Sequence, residues 1–142
     1  LTDTYTTGNF LKGFDSVRAR RFKGVRHDSG DPFLFLDQII SHYQSLDIDP
    51  SGKRVVFSDW LDTERAVAIH KHCNGRVEDI YGIGTNLTND VGAVPLNIVI
   101  KMKRASLSAD LPWEPTIKLT DAEEKLTGPA DVIRKCRNAL KL

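Results

Sequence analysis

The fold is decided by residues 24–59, which read GVRHDSGDPFLFLDQIISHYQSLDIDPSGKRVVFSD. Asp31 followed by Pro32 is typical of a helix start, with an N-cap side chain and a proline in the first helical position. From Leu36 to Tyr43 the apolar residues recur at helical spacing and predict one apolar face. After a turn at 49–52, the run 54–57 (RVVF) predicts a short strand.

The same alternation continues on both sides of this stretch. Residues 22–25 have a weak strand-like pattern, Asp62 is a second candidate helix cap, and Gly75 suits the exit of that helix. Residues 77–81 then predict another short strand. The order strand, helix, strand, helix, strand favours βαβ units and a parallel sheet, and hence an α/β fold.

The two ends of the chain carry further patterns. The opening LTDTY is typical of the end of a strand running into a loop, so we expect a fragment of a larger domain. Residues 10–14 predict a short helix and residues 18–23 a solvated basic loop. Residues 96–102 and 116–119 are strand-like and predict an antiparallel excursion, and Pro129 opens a last amphipathic helix.

Composition excludes several classes of protein. The chain has 142 residues, of which 20 are basic and 19 acidic, so its net charge of +1 gives no sign of a nucleic-acid-binding surface. It contains no apolar run approaching the roughly 20 residues needed to cross a bilayer, so no membrane partner is expected. Cys73 and Cys136 are expected to be reduced thiols.

Polar or glycine-rich groups follow each predicted strand, and this is where parallel α/β folds bind ligands. Asp3 follows the first, residues 26–31 (RHDSGD) the second, Ser58 and Asp59 the third, and residues 82–85 (GIGT) the fourth. Carboxylates can accept hydrogen bonds from a diol or hold Mg²⁺, and glycines let backbone N–H groups approach phosphate oxygens. The strand ends therefore predict a site for a phosphorylated sugar.

Each of these motifs also has a purely structural interpretation. GIGT alone is more often a plain turn, Arg26 with Asp28 can be a structural ion pair, and Asp31 is assigned to helix capping. His70 and His72 do not share a helix face, so they are not expected to hold a metal with Cys73. The common register of the four strand ends is what favours a ligand site.

At this point the chain resembles a known family. The segments LTDTYTT, GVRHDSGDP, VVFSD, GIGTNLTND and PLNIVIKM, in this order and spacing, are similar to the C-terminal part of the nicotinate phosphoribosyltransferase family. The resemblance covers residues 1 to about 119 and continues more loosely through the last helix. RHDSGDP and GIGTxLT together are its specific motifs.

The resemblance implies a fold, a reaction and partners. The fold would be a portion of an irregular TIM-like α/β barrel with parallel strands, residues 1–142 forming its C-terminal part. The reaction would join nicotinate to phosphoribosyl pyrophosphate in NAD biosynthesis, giving nicotinate mononucleotide and pyrophosphate. Mg²⁺ and the co-substrate ATP would be required, and the full-length enzyme would be a cytoplasmic homodimer, present also in the nucleus of a eukaryote.

The resemblance also assigns roles to residues. Arg26 and Asp28 would flank the nicotinate ring and the reacting ribose, and Asp3 would lie near Mg²⁺ and the pyrophosphate. Asp59 would hold ribose hydroxyls. The remaining substrate-binding residues would be Ser29, Ser58, Gly82, Gly84 and Thr85, of which Gly82, Gly84 and Thr85 would bind the 5′-phosphate.

Two departures from the family pattern limit the assignment. Thr6 stands where the family often has Asp, and none of the four histidines matches the motif of the histidine that is phosphorylated in the ATP-coupled cycle. This chain is therefore expected to be inactive alone.

Three rival interpretations stay open. A nicotinamide-using relative would usually read RPDSGNP, so His27 and Asp31 favour nicotinate. An unrelated barrel isomerase or aldolase acting on a sugar phosphate would need a catalytic Lys or Glu at a strand end, and no such residue directly follows the predicted strands of the parallel sheet. An inactive sugar-phosphate-binding α/β module is the third possibility.

Overall fold

The computed structural model describes residues 1–89, 91–94, 96 and 98–142. The elements within these ranges are α1 (Thr7–Gly13), α2 (Ser16–Arg21), β1 (Gly24–His27), α3 (Pro32–Ser45), β2 (Arg54–Phe57), α4 (Thr63–Cys73), β3 (Glu78–Tyr81), α5 (Thr85–Thr88), β4 (Arg104–Ala105), β5 (Glu114–Pro115) and α6 (Ala130–Leu140). Three short 3₁₀ turns lie at Asp3–Tyr5, Pro50–Gly52 and Glu123–Lys125. None of the helices in the described ranges is long and apolar enough to cross a membrane.

The main sheet is parallel, in the order β1-β2-β3. Gly24 pairs with Arg54 and Arg54 with Glu78, so the three strands run in step and end at the same edge. Gly24 is needed for the approach of β1 to β2, because a Cβ there would lie 2.0 Å from the Arg54 carbonyl oxygen. The predicted α/β architecture with a parallel sheet is confirmed.

The core lies between this sheet and α3 and α4. The apolar face predicted for α3 is buried, including Leu36, Ile39 and Tyr43, and it packs against the inward side chains of the strands. From α4, Ile69 and Cys73 complete the cluster. Burial raises the pKa of the Cys73 thiol to about 11, so this free cysteine stays protonated as part of the core.

The helix boundaries follow the capping signals in the sequence. Asp31 Oδ1 accepts hydrogen bonds from the backbone N–H groups of Phe33 and Leu34, at 2.7 and 3.2 Å. Asp62 caps α4 in the same way through the N–H of Arg65. These two caps and the Pro129 start of α6 confirm the predicted helix starts.

Three sequence predictions are wrong near the N-terminus. Asp3–Tyr5 is a 3₁₀ turn and not the end of a strand, although the Thr2 N–H donates to the Arg26 carbonyl and so lies beside β1. The basic stretch expected to be a loop is the helix α2, which Asp15 caps. The strand predicted at 22–25 lies at Gly24–His27.

The antiparallel excursion exists, but in other residues than predicted. The described residues among 96–102 are irregular and exposed, Ile100 being 96% exposed, and Asn97 lies outside the described residues. Residues 116–119 likewise form no strand, except that Lys118 makes an isolated antiparallel bridge with Thr127. The paired strands are β4 and β5, where Arg104 faces Pro115.

Candidate functional site at the carboxyl ends of the parallel strands

The predicted site residues converge at one edge of the sheet. His27 pairs with Phe57 and Phe57 with Tyr81 at the ends of the three strands, so the residues after them emerge side by side. These are Asp28 after β1, Ser58 and Asp59 after β2, and Gly82 to Thr85 after β3. We call this edge the mouth of the sheet.

Arg26, Asp28 and Ser58 form one hydrogen-bonded group at the mouth. Arg26 Nε donates to Ser58 Oγ at 2.8 Å, and its Nη2 lies 2.7 Å from Asp28 Oδ1. The Ser58 hydroxyl in turn lies 3.0 Å from Asp28 Oδ1 and 3.0 Å from the His27 carbonyl oxygen. Arg26 is about half exposed, with 51% of its side chain accessible, so the guanidinium is anchored while it still faces solvent.

This group keeps the Asp28 carboxyl ionised. Burial alone would raise its pKa, but hydrogen bonds from Arg26 and Ser58, with the nearby charges of Arg26 and Lys125, lower the pKa below its ordinary value of 3.8. At neutral pH the mouth therefore presents a fixed negative charge next to a fixed positive one.

Asp59 is held by a residue that the sequence reasoning missed. Lys125 Nζ makes an ion pair with Asp59 Oδ1 and also donates to the Asp28 carbonyl oxygen at 3.0 Å. The two side chains are only 22% and 16% exposed. No sequence signal pointed to Lys125, because the nearest strand-like run, 116–119, forms no strand and Lys125 contacts residues 97 and 66 positions away in the chain.

Beside Asp59 lies a cleft of about 410 Å³. Its lining comes from the segments after β2 and β3 and from one residue further along, namely Ser58, Asp59, Trp60, Leu61, Gly82, Gly84, Thr85, Asn86 and Val99. A Cβ on Gly84 would meet no described atom within 4 Å, so a side chain there would extend into open space. Gly84 precedes α5, a single helical turn, whose position is helped by a hydrogen bond from Asn86 Nδ2 to the Leu61 carbonyl oxygen.

Asp3 and Ser29 lie beneath the mouth and not on its surface. Asp3 is 2% exposed, and its Oδ2 accepts a hydrogen bond from the Ser29 hydroxyl at 2.6 Å. The Thr120 hydroxyl lies 2.9 Å from both Asp3 Oδ2 and Ser29 Oγ. The three side chains form a buried polar cluster, and Thr120 is a second residue that the sequence reasoning missed.

This arrangement does not fit Asp3 as a magnesium ligand. Mg²⁺ usually keeps several waters and binds one or two carboxylates together with substrate phosphates. Asp3 is only 2% exposed, and its Oδ2 already accepts hydrogen bonds from the Ser29 and Thr120 hydroxyls. The carboxylates closer to the mouth are Asp28 and Asp59.

Comparison with known proteins identifies the family. Residues 1–140 match the nicotinate phosphoribosyltransferase (NAPRTase) family. This chain belongs to that family.

Curated relatives agree with this assignment. The chain is 52% identical to the nicotinate phosphoribosyltransferase of Desulforapulum autotrophicum over 141 residues, which is 99% of the chain and 36% of the relative. It is 47% identical to that of Chromohalobacter salexigens over 142 residues, again 36% of the relative. The chain therefore spans about a third of the length of these NAPRTase relatives.

Solved structures of the NAPRTase family have the same arrangement of this segment. The nicotinate phosphoribosyltransferase of Porphyromonas gingivalis matches with a TM-score of 0.91 at 43% identity, over 99% of this chain and 37% of that one. The Vibrio cholerae enzyme matches with a TM-score of 0.80 at 33% identity, over 99% and 34%.

Asp31 and His27, which favoured the NAPRTase family in the sequence, stabilise the fold in this structure. Asp31 caps α3. His27 is buried, with its ring 4.9 Å from the Phe35 ring and 5.9 Å from the Phe57 ring, centroid to centroid. The NAPRTase motif GVRHDSGDP therefore combines residues of the mouth, Arg26 and Asp28, with residues that hold the strand and helix in place.

Proposed function

We propose that the full-length protein carrying this chain transfers the phosphoribosyl group of phosphoribosyl pyrophosphate to nicotinate in NAD biosynthesis, with ATP as co-substrate. The observation that carries the proposal is the convergence of Arg26, Asp28, Ser58 and Asp59 at adjacent strand ends, next to a glycine-lined cleft. The family to which the chain belongs supports the same reaction.

Arg26 suits recognition of the nicotinate carboxylate. Its Nε and Nη2 are held by Ser58 and Asp28, and Nη1 makes no hydrogen bond to any described residue. A guanidinium fixed in this way offers its free edge to a carboxylate in the planar geometry that the group prefers. Binding the carboxylate would bring the ring nitrogen towards the carboxylates of the mouth.

Asp28 and Asp59 suit the reacting sugar. As the bond to pyrophosphate breaks, positive charge develops at the anomeric carbon, and fixed carboxylates stabilise that charge. The ring nitrogen of nicotinate is already nucleophilic, so no activated serine or cysteine is needed. Asp59 would also accept hydrogen bonds from the ribose hydroxyls.

The cleft beside Asp59 suits the 5′-phosphate. Gly82, Gly84 and Thr85 line it, and the backbone at Gly84 is open to an approaching ligand. Asp3 and Ser29 would support the mouth from beneath. The mouth carboxylates Asp28 and Asp59 would hold Mg²⁺, which would supply positive charge for the pyrophosphate leaving group.

The broader assignment is also part of the proposal. The three-stranded sheet would be an arc of an irregular TIM-like α/β barrel, with residues 1–142 its C-terminal part. The full-length protein would be a homodimer in the cytoplasm. Because none of the four histidines matches the phosphorylated one, we expect the 142-residue chain to have no activity by itself.

Binding of the sugar phosphate tests the mouth directly. We expect saturable binding of phosphoribosyl pyrophosphate with Mg²⁺ by isothermal titration of the full-length protein, and loss of binding in Asp59→Ala and in Gly84→Val. Removing the carboxylate deletes the acceptor for the ribose hydroxyls, and a valine at position 84 would add a branched side chain to a residue that lines the cleft.

The matched control for Gly84→Val is Gly52→Val. Gly52 is equally free of neighbours but lies in the turn before β2, at the opposite edge of the sheet. The Gly52→Val variant should bind phosphoribosyl pyrophosphate as the wild type does. Equal binding by all variants would contradict the placement of the sugar phosphate at the mouth.

Discrimination between pyridine substrates separates the proposal from its nearest rival. We expect turnover with nicotinate and little with nicotinamide, and Arg26→Gln should raise the KM for nicotinate much more than that for phosphoribosyl pyrophosphate. Preference for nicotinamide would support the related enzyme. Binding without turnover of either would support an inactive sugar-phosphate-binding module.

A further inference from the structure

Lys125 is a cation in direct contact with the proposed sugar site through Asp59, and neither the motifs nor the strand ends had pointed to it. It ends the 3₁₀ turn Glu123–Lys125, far along the chain from the parallel strands. Its ammonium nevertheless contacts two of them at once, through the Asp28 carbonyl oxygen after β1 and the Asp59 carboxylate after β2.

The segment that carries Lys125 is fixed by two residues that precede Lys125 in the chain, Thr120 and Asp121. Thr120 contacts Asp3 and Ser29 beneath the mouth. Asp121 Oδ1 accepts a hydrogen bond from the Thr7 backbone N–H at 2.8 Å. Gly30 lies next to this segment: a Cβ there would be in ordinary contact with the Asp121 Cβ at 3.9 Å, and it is the φ of +85° that favours glycine at this position. The position of Lys125 is thus set by several independent contacts.

The Lys125–Asp59 ion pair is mostly shielded from water, so losing one partner has a larger energetic effect than it would at an exposed site. An exposed ion pair contributes little, whereas removing one partner of a shielded pair leaves the other charge without compensation. Asp59 lines the cleft, and its carboxylate is paired with Lys125. Its carboxylate is therefore held in one orientation by Lys125.

We propose that Lys125 is a positioning residue, which acts through Asp59 by orienting its carboxylate for the sugar hydroxyls. This inference rests on the proposed function, because it assigns Asp59 to the ribose. Lys125 itself does not need to touch the substrate, since its ammonium is already engaged by Asp59 and by the Asp28 carbonyl oxygen.

The test compares Lys125→Met with Lys125→Arg in the full-length protein. We expect Lys125→Met to raise the KM for phosphoribosyl pyrophosphate by about tenfold or more, and the KM for nicotinate by no more than about twofold. Lys125→Arg keeps the positive charge, so its KM for phosphoribosyl pyrophosphate should stay close to that of the wild type. Lys135→Met is the control: Lys135 is exposed on α6, and its ammonium has no partner among the described residues.

A second comparison asks whether Lys125 acts through Asp59. In an Asp59→Asn background the further change Lys125→Met should alter the KM for phosphoribosyl pyrophosphate by less than about twofold, because the carboxylate that it orients is gone. The double variant also leaves neither charge buried alone, so it carries the test even where Lys125→Met alone does not fold.

Two outcomes would overturn the inference. One is a Lys125→Met enzyme with the wild-type KM for phosphoribosyl pyrophosphate. The other is a double variant clearly worse than Asp59→Asn, which would mean that Lys125 contacts the substrate itself. Neither can be confused with failure of the proposed function, which would appear as a folded wild-type protein with no phosphoribosyl transfer.

Discussion

His27 shows how much a single polar residue depends on its surroundings. It lies between two charged neighbours in the sequence, Arg26 and Asp28, but its ring is buried against Phe35 and Phe57. Neither ring nitrogen makes a well-formed hydrogen bond to a described residue, although the Gly30 backbone lies close to the ring. Burial lowers the pKa of the His27 imidazole below its ordinary value of 6.5, and attraction to Asp59 opposes this only in part.

The lowered pKa predicts sensitivity to mild acid. When the folded-state pKa lies below 6.5, the unfolded chain binds the proton first, so the free energy of unfolding falls as the pH drops below about 6.5. His27→Leu should therefore remove the part of the pH dependence of the free energy of unfolding that arises between pH 7 and 5. The carboxyls of Asp28 and Asp79, whose pKa values are lowered below 3.8, titrate outside this window.

Urea denaturation at several pH values between 7 and 5 measures the effect. The control is His70→Gln, because the His70 side chain is 70% exposed on the surface of α4, where its Nδ1 lies 2.7 Å from Asp79 Oδ2. The His70→Gln variant should keep the part of the pH dependence of the unfolding free energy that comes from His27. A His27→Leu variant with the same slope as the wild type would contradict the prediction.

At the scale of elements, helices were easier to predict than strands. A helix of 11 or 14 residues contains several repeats of its apolar spacing and a cap at its start, as α3 and α4 do. The strands have four residues each, and in β1 a buried position is occupied by a histidine. A hydrophobic pattern that short cannot show its period, so the strand at 24–27 was placed two residues too early.

The cap of α3 can be tested as an element. Asp31→Ala should lower the free energy of unfolding by about 1 kcal/mol, because it removes the acceptor for two backbone N–H groups at the helix start. Gln44→Ala near the end of α3 is the control: its side chain is exposed and has no hydrogen bond among the described residues, so its effect should be small. Both are measured by urea denaturation, and equal stability of the two variants would argue against the cap.

At the scale of the whole molecule, the buried polar cluster joins three distant parts of the chain. Asp3 comes from the N-terminal turn, Ser29 from the end of β1 and Thr120 from the segment before α6. These contacts bring residues 117 positions apart together under the mouth. The C-terminal segment, which carries Lys125, depends on them for its place.

Removing the Thr120 hydroxyl should loosen this connection. Thr120→Val keeps the shape of the side chain but takes a donor from the buried cluster, so we expect a loss of about 1–3 kcal/mol in stability. Hydrogen exchange should also become faster at the Lys118 and Thr127 amides, which bond to each other's carbonyls. Thr4→Val, at an exposed position, is the control. Unchanged exchange at both amides would contradict the prediction.

The sequence by itself determined the parallel α/β pattern, the helix starts and the set of groups at the strand ends. These are local features: caps, apolar spacing and the residue types that follow each strand all lie within a few positions of one another. Only the tertiary structure decided that Asp3 and Ser29 lie beneath the mouth, that His27 joins the core, and that Lys125 holds Asp59. Each of these depends on contacts between residues far apart in the chain, and spacing along a sequence carries no information about such contacts.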